Sequence, residues 1–210
     1  MPGIFITATD TEVGKTVISA ALVNFFRNQG INAGYMKPIS CGKDNDAVLV
    51  KKLLKLKDPL SLINPISLPY PLSPLAAARK AKRKINLKKI TKAYAALRKK
   101  YDLVIVEGVG GALVPITKKT TVADLIKQLN LPVIIIARAG LGTLNHTLLT
   151  VEALKRRKIY IHGIIMNGYR GQELSEKNNA EIIYQLTKIP ILAKIKAEGR
   201  YANPCKWGNP

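Results

Sequence analysis

Apolar runs of strand length alternate with amphipathic stretches along the chain. Runs rich in Ile, Val, Leu and Ala at Ile4–Ala8, Ala33–Lys37, Leu103–Glu107, Val133–Ala137, Ile161–Asn167 and Ile189–Ile195 predict strands. Between them, helical patterns occupy Lys15–Asn28, Asp46–Leu56, Pro74–Arg83, Leu87–Lys100, Val122–Leu129, Leu144–Arg157 and Ser175–Thr187. Ser73-Pro74 places a cap and a proline at a helix start, and Thr121 with Asp124 reads as a capping-box variant. Strand–helix alternation at this spacing implies right-handed crossovers. The expected fold is α/β, a mostly parallel β-sheet with helices on both faces, forming one domain over residues 1–210. The proline-rich Lys57–Pro74 is expected as an irregular excursion after the second strand, and Tyr201–Pro210 as a surface tail.

Hydrophobic residues are 47% of the 210, enough for a buried core and too many for a disordered chain. The longest apolar stretch, Leu131–Ala137, falls far short of the roughly 18 residues a membrane helix needs. Met1–Ala8 has no basic region and no signal-peptide core, so it reads as a first strand; a cytoplasmic protein with no membrane partner is expected. Cys41 and Cys205 stand far apart with no Cys or His at metal-ligand spacing, which predicts free thiols. His146 and His162 read as packing residues. Charge complicates this picture: 34 Lys+Arg against 13 Asp+Glu give +21, which raises polyanion binding as a function. The basic residues are, however, spread over several helical segments, and aromatics, at 6%, are not interleaved with them as in single-strand binders. Solvated helix faces account for the charge, and no specific nucleic-acid partner is expected.

The chemistry concentrates at strand ends. Ile4–Ala8 runs into Thr9-Asp10-Thr11-Glu12-Val13-Gly14-Lys15-Thr16 and then an amphipathic helix, the setting a phosphate-binding loop requires. Backbone N–H groups of Asp10–Thr16 would face phosphate oxygens, Lys15 would neutralise the β- and γ-phosphates of ATP, and Thr16 would ligate Mg²⁺. Thr9 stands where the generic loop has its first glycine. Leu103–Val106 ends in Glu107-Gly108-Val109-Gly110-Gly111: an acidic residue closing an apolar strand beside such a loop suits a second Mg²⁺ contact, and Gly108 and Gly110 allow close backbone approach to phosphate. Lys37, at the end of the second strand, lies where ligands of open parallel sheets bind and can reach a transferring phosphoryl group; in isolation it reads more readily as a surface lysine before a turn.

Taken together, these residues resemble the dethiobiotin synthetase family, a branch of the P-loop NTPase-like fold. The family's loop, Gly-Thr-Asp-Thr-x-Val-Gly-Lys-Thr, is matched after its first residue by Thr9–Thr16, with Ala8 in place of that glycine. Further matches run in order: Gly34-Tyr35-Met36-Lys37-Pro38, Asp46-Ala47, Val106–Gly111, Gly142–His146 and Asn167. The resemblance implies an ATP-dependent ligase that closes a ureido ring from 7,8-diaminopelargonate, CO₂ (or bicarbonate) and ATP, with Mg²⁺. It implies roles for Lys15 and Lys37 on the γ-phosphate and carbamate and for Thr11 on the carbamate. Thr16, Asp46 and Glu107 would surround Mg²⁺, Asn167 would read adenine, and Thr143 and Asn145 would bind the substrate's distal carboxylate across a homodimer interface. It also places Cys41 beside the carbamate, where Lys15 and Lys37 are expected to favour a reactive thiolate. Leu75 replaces a family histidine, and Ala193–Lys196 replaces the family's Gly-x-Ile-Pro near adenine. Two alternatives are a nucleotide sensor of the same fold and a DNA-partitioning or division-site switch. The switch carries a second loop lysine where this chain has Asp10.

Overall fold

The computed structural model describes residues 3–42 and 46–197; the expected tail and Cys205 lie outside them. In chain order the first half runs β1 (Gly3–Ala8), α1 (Lys15–Asn28), β2 (Ala33–Met36), β3 (Ile39–Cys41), α2 (Asp46–Leu53), α3 (Leu60–Ile63), β4 (Ile66–Leu68), α4 (Pro74–Lys80) and α5 (Leu87–Arg98). The second half adds β5 (Leu103–Gly111), α6 (Val122–Leu129), β6 (Val133–Arg138), α7 (Thr143–Lys155), β7 (Ile161–Tyr169), α8 (Leu174–Thr187) and β8 (Ile191–Lys196). The main sheet has six strands in the order β2-β5-β1-β6-β7-β8, all parallel. The expected α/β architecture is therefore the observed one.

Strand alternation divides the interior in two. Ile4, Ile6, Tyr35, Ile105, Ile134 and Ile136 face one way and pack with Ile18 and Leu22 of α1. Phe5, Met36, Val104, Val106, Val133 and Ile135 face the other way, toward α5, α6 and α8. Because side chains alternate with period two, Lys37 and Glu107 inherit the α1 side from Tyr35 and Ile105. The sheet thus delivers both residues to the same face as the phosphate loop.

The expectations need correcting at helix ends and in the proline-rich segment. Helices α2, α4 and α7 stop at Leu53, Lys80 and Lys155, three, three and two residues earlier than periodicity suggests. Each is followed by a lysine in the left-handed region: Lys55 (φ 51°), Lys82 (φ 51°) and Lys158 (φ 56°). The next N–H bonds back to a carbonyl inside the helix, Leu56 to Lys51, Arg83 to Ala78 and Ile159 to Leu154. This is the capping arrangement that glycine usually marks, so lysine hides it from a sequence reading. The segment after Lys57 is also more ordered than expected: it forms α3 and β4, and β4 pairs with β3 in a small parallel sheet. The capping box at Thr121 and Asp124 is present, with both reciprocal hydrogen bonds.

Asp58 ties this segment to the main body. Its carboxylate is only 5% exposed, accepts from Lys100 Nζ at 2.7 Å and from the Tyr101 hydroxyl, and so bridges the α2–α3 connection to the end of α5. Burial works against its ionisation, but the Lys100 and Tyr101 hydrogen bonds outweigh it and hold the carboxyl below its ordinary pKa. A depressed carboxylate stabilises the fold above its unfolded pKa and loses that contribution as pH falls through the folded value. Asp58→Ala should therefore lower stability by about 1–3 kcal/mol near neutral pH. In thermal melts, the gap from the unsubstituted chain should narrow below about pH 4.

Candidate active site

The loop between β1 and α1 is fastened at three points. Val13 inserts into the α1-side core, 4% exposed. The Asn167 side-chain amide, from the end of β7, donates to the Val13 carbonyl at 2.8 Å. Lys15 Nζ donates to the Asp10 carbonyl at 2.9 Å, curling its side chain back over the loop. Gly14 has φ 93°, and a Cβ there would collide with the Asn167 amide, so this glycine serves both the turn and the contact. Thr11 and Glu12 are exposed on the loop's outer side. Arg138, at the end of β6, reaches the Asp10 carboxylate at 3.2 Å.

The Glu107 side chain, 1% exposed, is the meeting point of the site. Its Oε1 accepts from Thr16 Oγ1 at 2.7 Å and from Lys37 Nζ at 2.9 Å, while Oε2 accepts from the Tyr35 hydroxyl at 2.5 Å. Lys37 Nζ is also paired with Asp46, at the start of α2. Thr16, Lys37, Asp46 and Glu107, separated in sequence, are thus linked in one network with Lys15 in its field. Burial pulls the Lys37 pKa down, but Glu107 and Asp46 prevail and raise it above the ordinary lysine value. Lys15 is lowered, chiefly by burial and further by the charge of Lys37, against the opposing pull of Glu107. Burial and Glu107 together push Tyr35 well up, so its hydroxyl keeps its proton.

Asn64 supports the site from behind. Its amide donates to the Lys37 carbonyl at 2.7 Å and its carbonyl oxygen accepts from Ser40, bracing the turn that carries Lys37. The Lys37 N–H bonds to the Ile63 carbonyl at 2.8 Å, so α3 supports the same turn. An asparagine before Pro65 signals a turn, but nothing in the sequence points it at Lys37. Tyr35 stands in the Gly34–Pro38 match, and strand parity, two residues before Lys37, puts it on the same face.

The remaining expected residues take the following places. Gly108 does allow a close approach, but by protein: a Cβ there would lie 2.9 Å from Phe5 Cε1 and 3.1 Å from the Ile6 carbonyl. Gly110 has φ 63°, a turn requirement. Thr143 is 2% exposed with its hydroxyl 3.3 Å from that of Thr147, so the side chain is turned inward, while Asn145 on the same helix end is exposed. Cys41, half-buried at the end of β3, does not favour its thiolate: burial outweighs the opposing field of Lys37 and raises the thiol to about 11.

Comparison with known proteins fits this arrangement. A family model described as an AAA domain matches residues 2–204. An ATP-dependent dethiobiotin synthetase of Endomicrobium trichonymphae is 47% identical over 195 residues, covering 90% of each chain. The enzyme of that name from Methanocaldococcus jannaschii is 42% identical over 202 residues, covering 92% of this chain and 94% of the relative. The chain belongs to the ATP-dependent dethiobiotin synthetase family. These are P-loop ligases of biotin biosynthesis. Among solved structures, a MinD cell division protein of Aquifex aeolicus aligns with TM-score 0.61 over 94% of this chain and 83% of its own. A ParA family ATPase from Chlorobium tepidum aligns with TM-score 0.58 over 93% and 85%. Both are 15% identical, a likeness of fold alone.

The family departures are accommodated locally. Ala8, in place of the first loop glycine, is a fully buried strand residue and is not among those with positive φ, so the substitution carries no backbone strain. Ala193–Lys196 lies within β8 and pairs with the end of β7 next to Asn167. With a pKa of about 11, roughly a thousandth of the Cys41 thiol is ionised near pH 8. Iodoacetamide should therefore label Cys41 far more slowly in the folded chain than in concentrated urea. The folded-state rate should still be climbing above about pH 10, as peptide mapping across a pH series would show.

Proposed function

We propose that this chain closes the ureido ring of dethiobiotin from 7,8-diaminopelargonate, CO₂ and ATP, as the names of its relatives suggest. The observation that carries the reading is the network centred on Glu107, which gathers Thr16, Lys37 and Asp46 beside Lys15 and the phosphate loop. In the first step one substrate amine adds to CO₂ and loses a proton, giving a carbamate. A carbamate oxygen then attacks the γ-phosphorus, the bond to the β-phosphate oxygen breaks, and ADP leaves. Finally the second amine attacks the carbonyl of the mixed anhydride, loses a proton and expels phosphate.

The substrate supplies its own nucleophile, so the protein's work is positioning and charge stabilisation. Lys37 is held protonated by its carboxylate neighbours and serves as a cation, not a base. It lies between groups that exchange negative charge during the reaction, and it screens the γ-phosphate from the incoming carbamate. Lys15 and the loop amides bind the β- and γ-phosphates, and Thr11 lies at the loop edge where the carbamate approaches. Thr16, Asp46 and Glu107 would hold Mg²⁺. Two carboxylates and a hydroxyl suit an ion that completes its shell with water and phosphate oxygens, and among the described residues no larger acidic or His/Cys cluster exists to favour another metal. When bound, Mg²⁺ supplies neutralisation of phosphate charge. The Asn167 amide is committed to the loop, so its carbonyl oxygen is the group left to accept from the adenine amino group. Asn145, at the start of α7, binds the distal carboxylate of a substrate held by a second copy of the chain, which makes the working unit a homodimer.

Two outcomes follow. ADP release should require diaminopelargonate and bicarbonate together, because the attacking group is made from both. Equal turnover with neither would indicate a plain ATPase. Lys37→Ala should lower kcat by about a hundredfold or more, the scale of losing a placed charge stabiliser. Its affinity for ATP, measured by titration, should change far less because Lys15 and the loop amides remain.

A further inference from the structure

The Glu107 carboxylate has two oxygens with different tasks. Oε1 faces Thr16 and Lys37, and Oε2 is taken by the Tyr35 hydroxyl at 2.5 Å. Tyr35 and Glu107 are each 1% exposed, so water does not substitute for this contact. The strands enforce the pairing. Tyr35 stands opposite Ile105 in the β2–β5 register, and Glu107, two residues on, projects from the same face. Lys37, two residues beyond Tyr35, projects alongside it. One strand therefore brings one partner to each oxygen of the same carboxylate.

We infer that Tyr35 is a positioning residue for Mg²⁺: it locks the Glu107 carboxylate about its terminal bond so that Oε1 stays aimed at Thr16 and the metal. This rests on the proposed role of Glu107 at the metal. Without the hydroxyl, Oε2 is buried and unsatisfied, and the carboxylate gains by rotating to share Lys37 or Thr16 between both oxygens. That rotation removes the preset metal-facing oxygen. Groups that orient a metal ligand in this way commonly change metal affinity by about 10–100-fold when removed.

The test uses Tyr35→Phe, which keeps the ring and deletes only the hydroxyl. A fluorescent ADP analogue is titrated into the full chain at a series of Mg²⁺ concentrations and in EDTA, with no turnover. The Mg²⁺ concentration giving half of the metal-dependent gain in affinity should rise about tenfold, while affinity in EDTA stays unchanged. Glu107→Gln should raise the same midpoint, and adding Tyr35→Phe to it should produce little further change, since the two act through one oxygen pair. A lower melting temperature with an unmoved Mg²⁺ midpoint would make Tyr35 a purely structural residue and overturn the inference. Nucleotide binding by the unsubstituted chain that ignores Mg²⁺ would instead overturn the metal role of Glu107 itself. Should Tyr35→Phe fail to fold, the same midpoint is read on a chain carrying 4-fluorophenylalanine at position 35, which fills part of the hydroxyl's space and cannot donate. The midpoint should rise as for Tyr35→Phe, and an unmoved midpoint overturns the inference.

Discussion

The site depends on one buried carboxylate that accepts hydrogen bonds from three donors. An ionised Glu107 with 1% exposure is tolerable only because Thr16, Lys37 and Tyr35 satisfy it from three sides. Remove a partner and the cost is that of an uncompensated charge in the interior, larger than the worth of one surface contact. On the proposed mechanism the same arrangement serves function: Thr16 and Lys37, which satisfy the carboxylate in the folded chain, are groups a triphosphate and its metal need nearby. That mechanism would couple stability and catalysis through shared atoms.

The fold supplies this convergence by strand parity and register. β1 launches the phosphate loop, β5 beside it carries Glu107, and β2 at the edge carries Tyr35 and Lys37. All three strands are parallel and end on the same side of the sheet, the side where ligands of open α/β sheets bind. The loop is then pinned from across the sheet by Asn167 of β7, and the Lys37 turn from below by Asn64 and the Ile63 carbonyl. The small β3–β4 sheet and the Asp58 clamp explain why the proline-rich segment is structured: it is the support for the Lys37 turn.

Much of this was readable from the residues alone. The helix Lys15–Asn28 and the six main strands follow from apolar periodicity, because strands buried on both faces and a helix with one buried stripe leave plain patterns. Gly14-Lys15-Thr16 and Glu107 announced themselves by their place at strand ends. What stayed hidden was tertiary. Left-handed lysines ended helices where glycine was the expected sign, and α3 and β4 are too short for any period to emerge. The Cys41 expectation misjudged a balance: the lysine field was visible in sequence, but the desolvation that outweighs it depends on packing. The inward turn of Thr143 toward Thr147 is likewise a matter of packing that the motif does not show.

On the proposed mechanism the γ-phosphoryl group passes to an oxygen that came from CO₂ and not to water. Turnover with ¹⁸O-labelled bicarbonate, stopped before the label exchanges with solvent, tests this directly through the mass of the released phosphate. The mechanism predicts one labelled oxygen in each phosphate, carried over when the second amine breaks the carbonyl–oxygen bond of the anhydride. Phosphate free of label, formed at the same rate as ADP, would show that water is the nucleophile and would rule out the carbamate route.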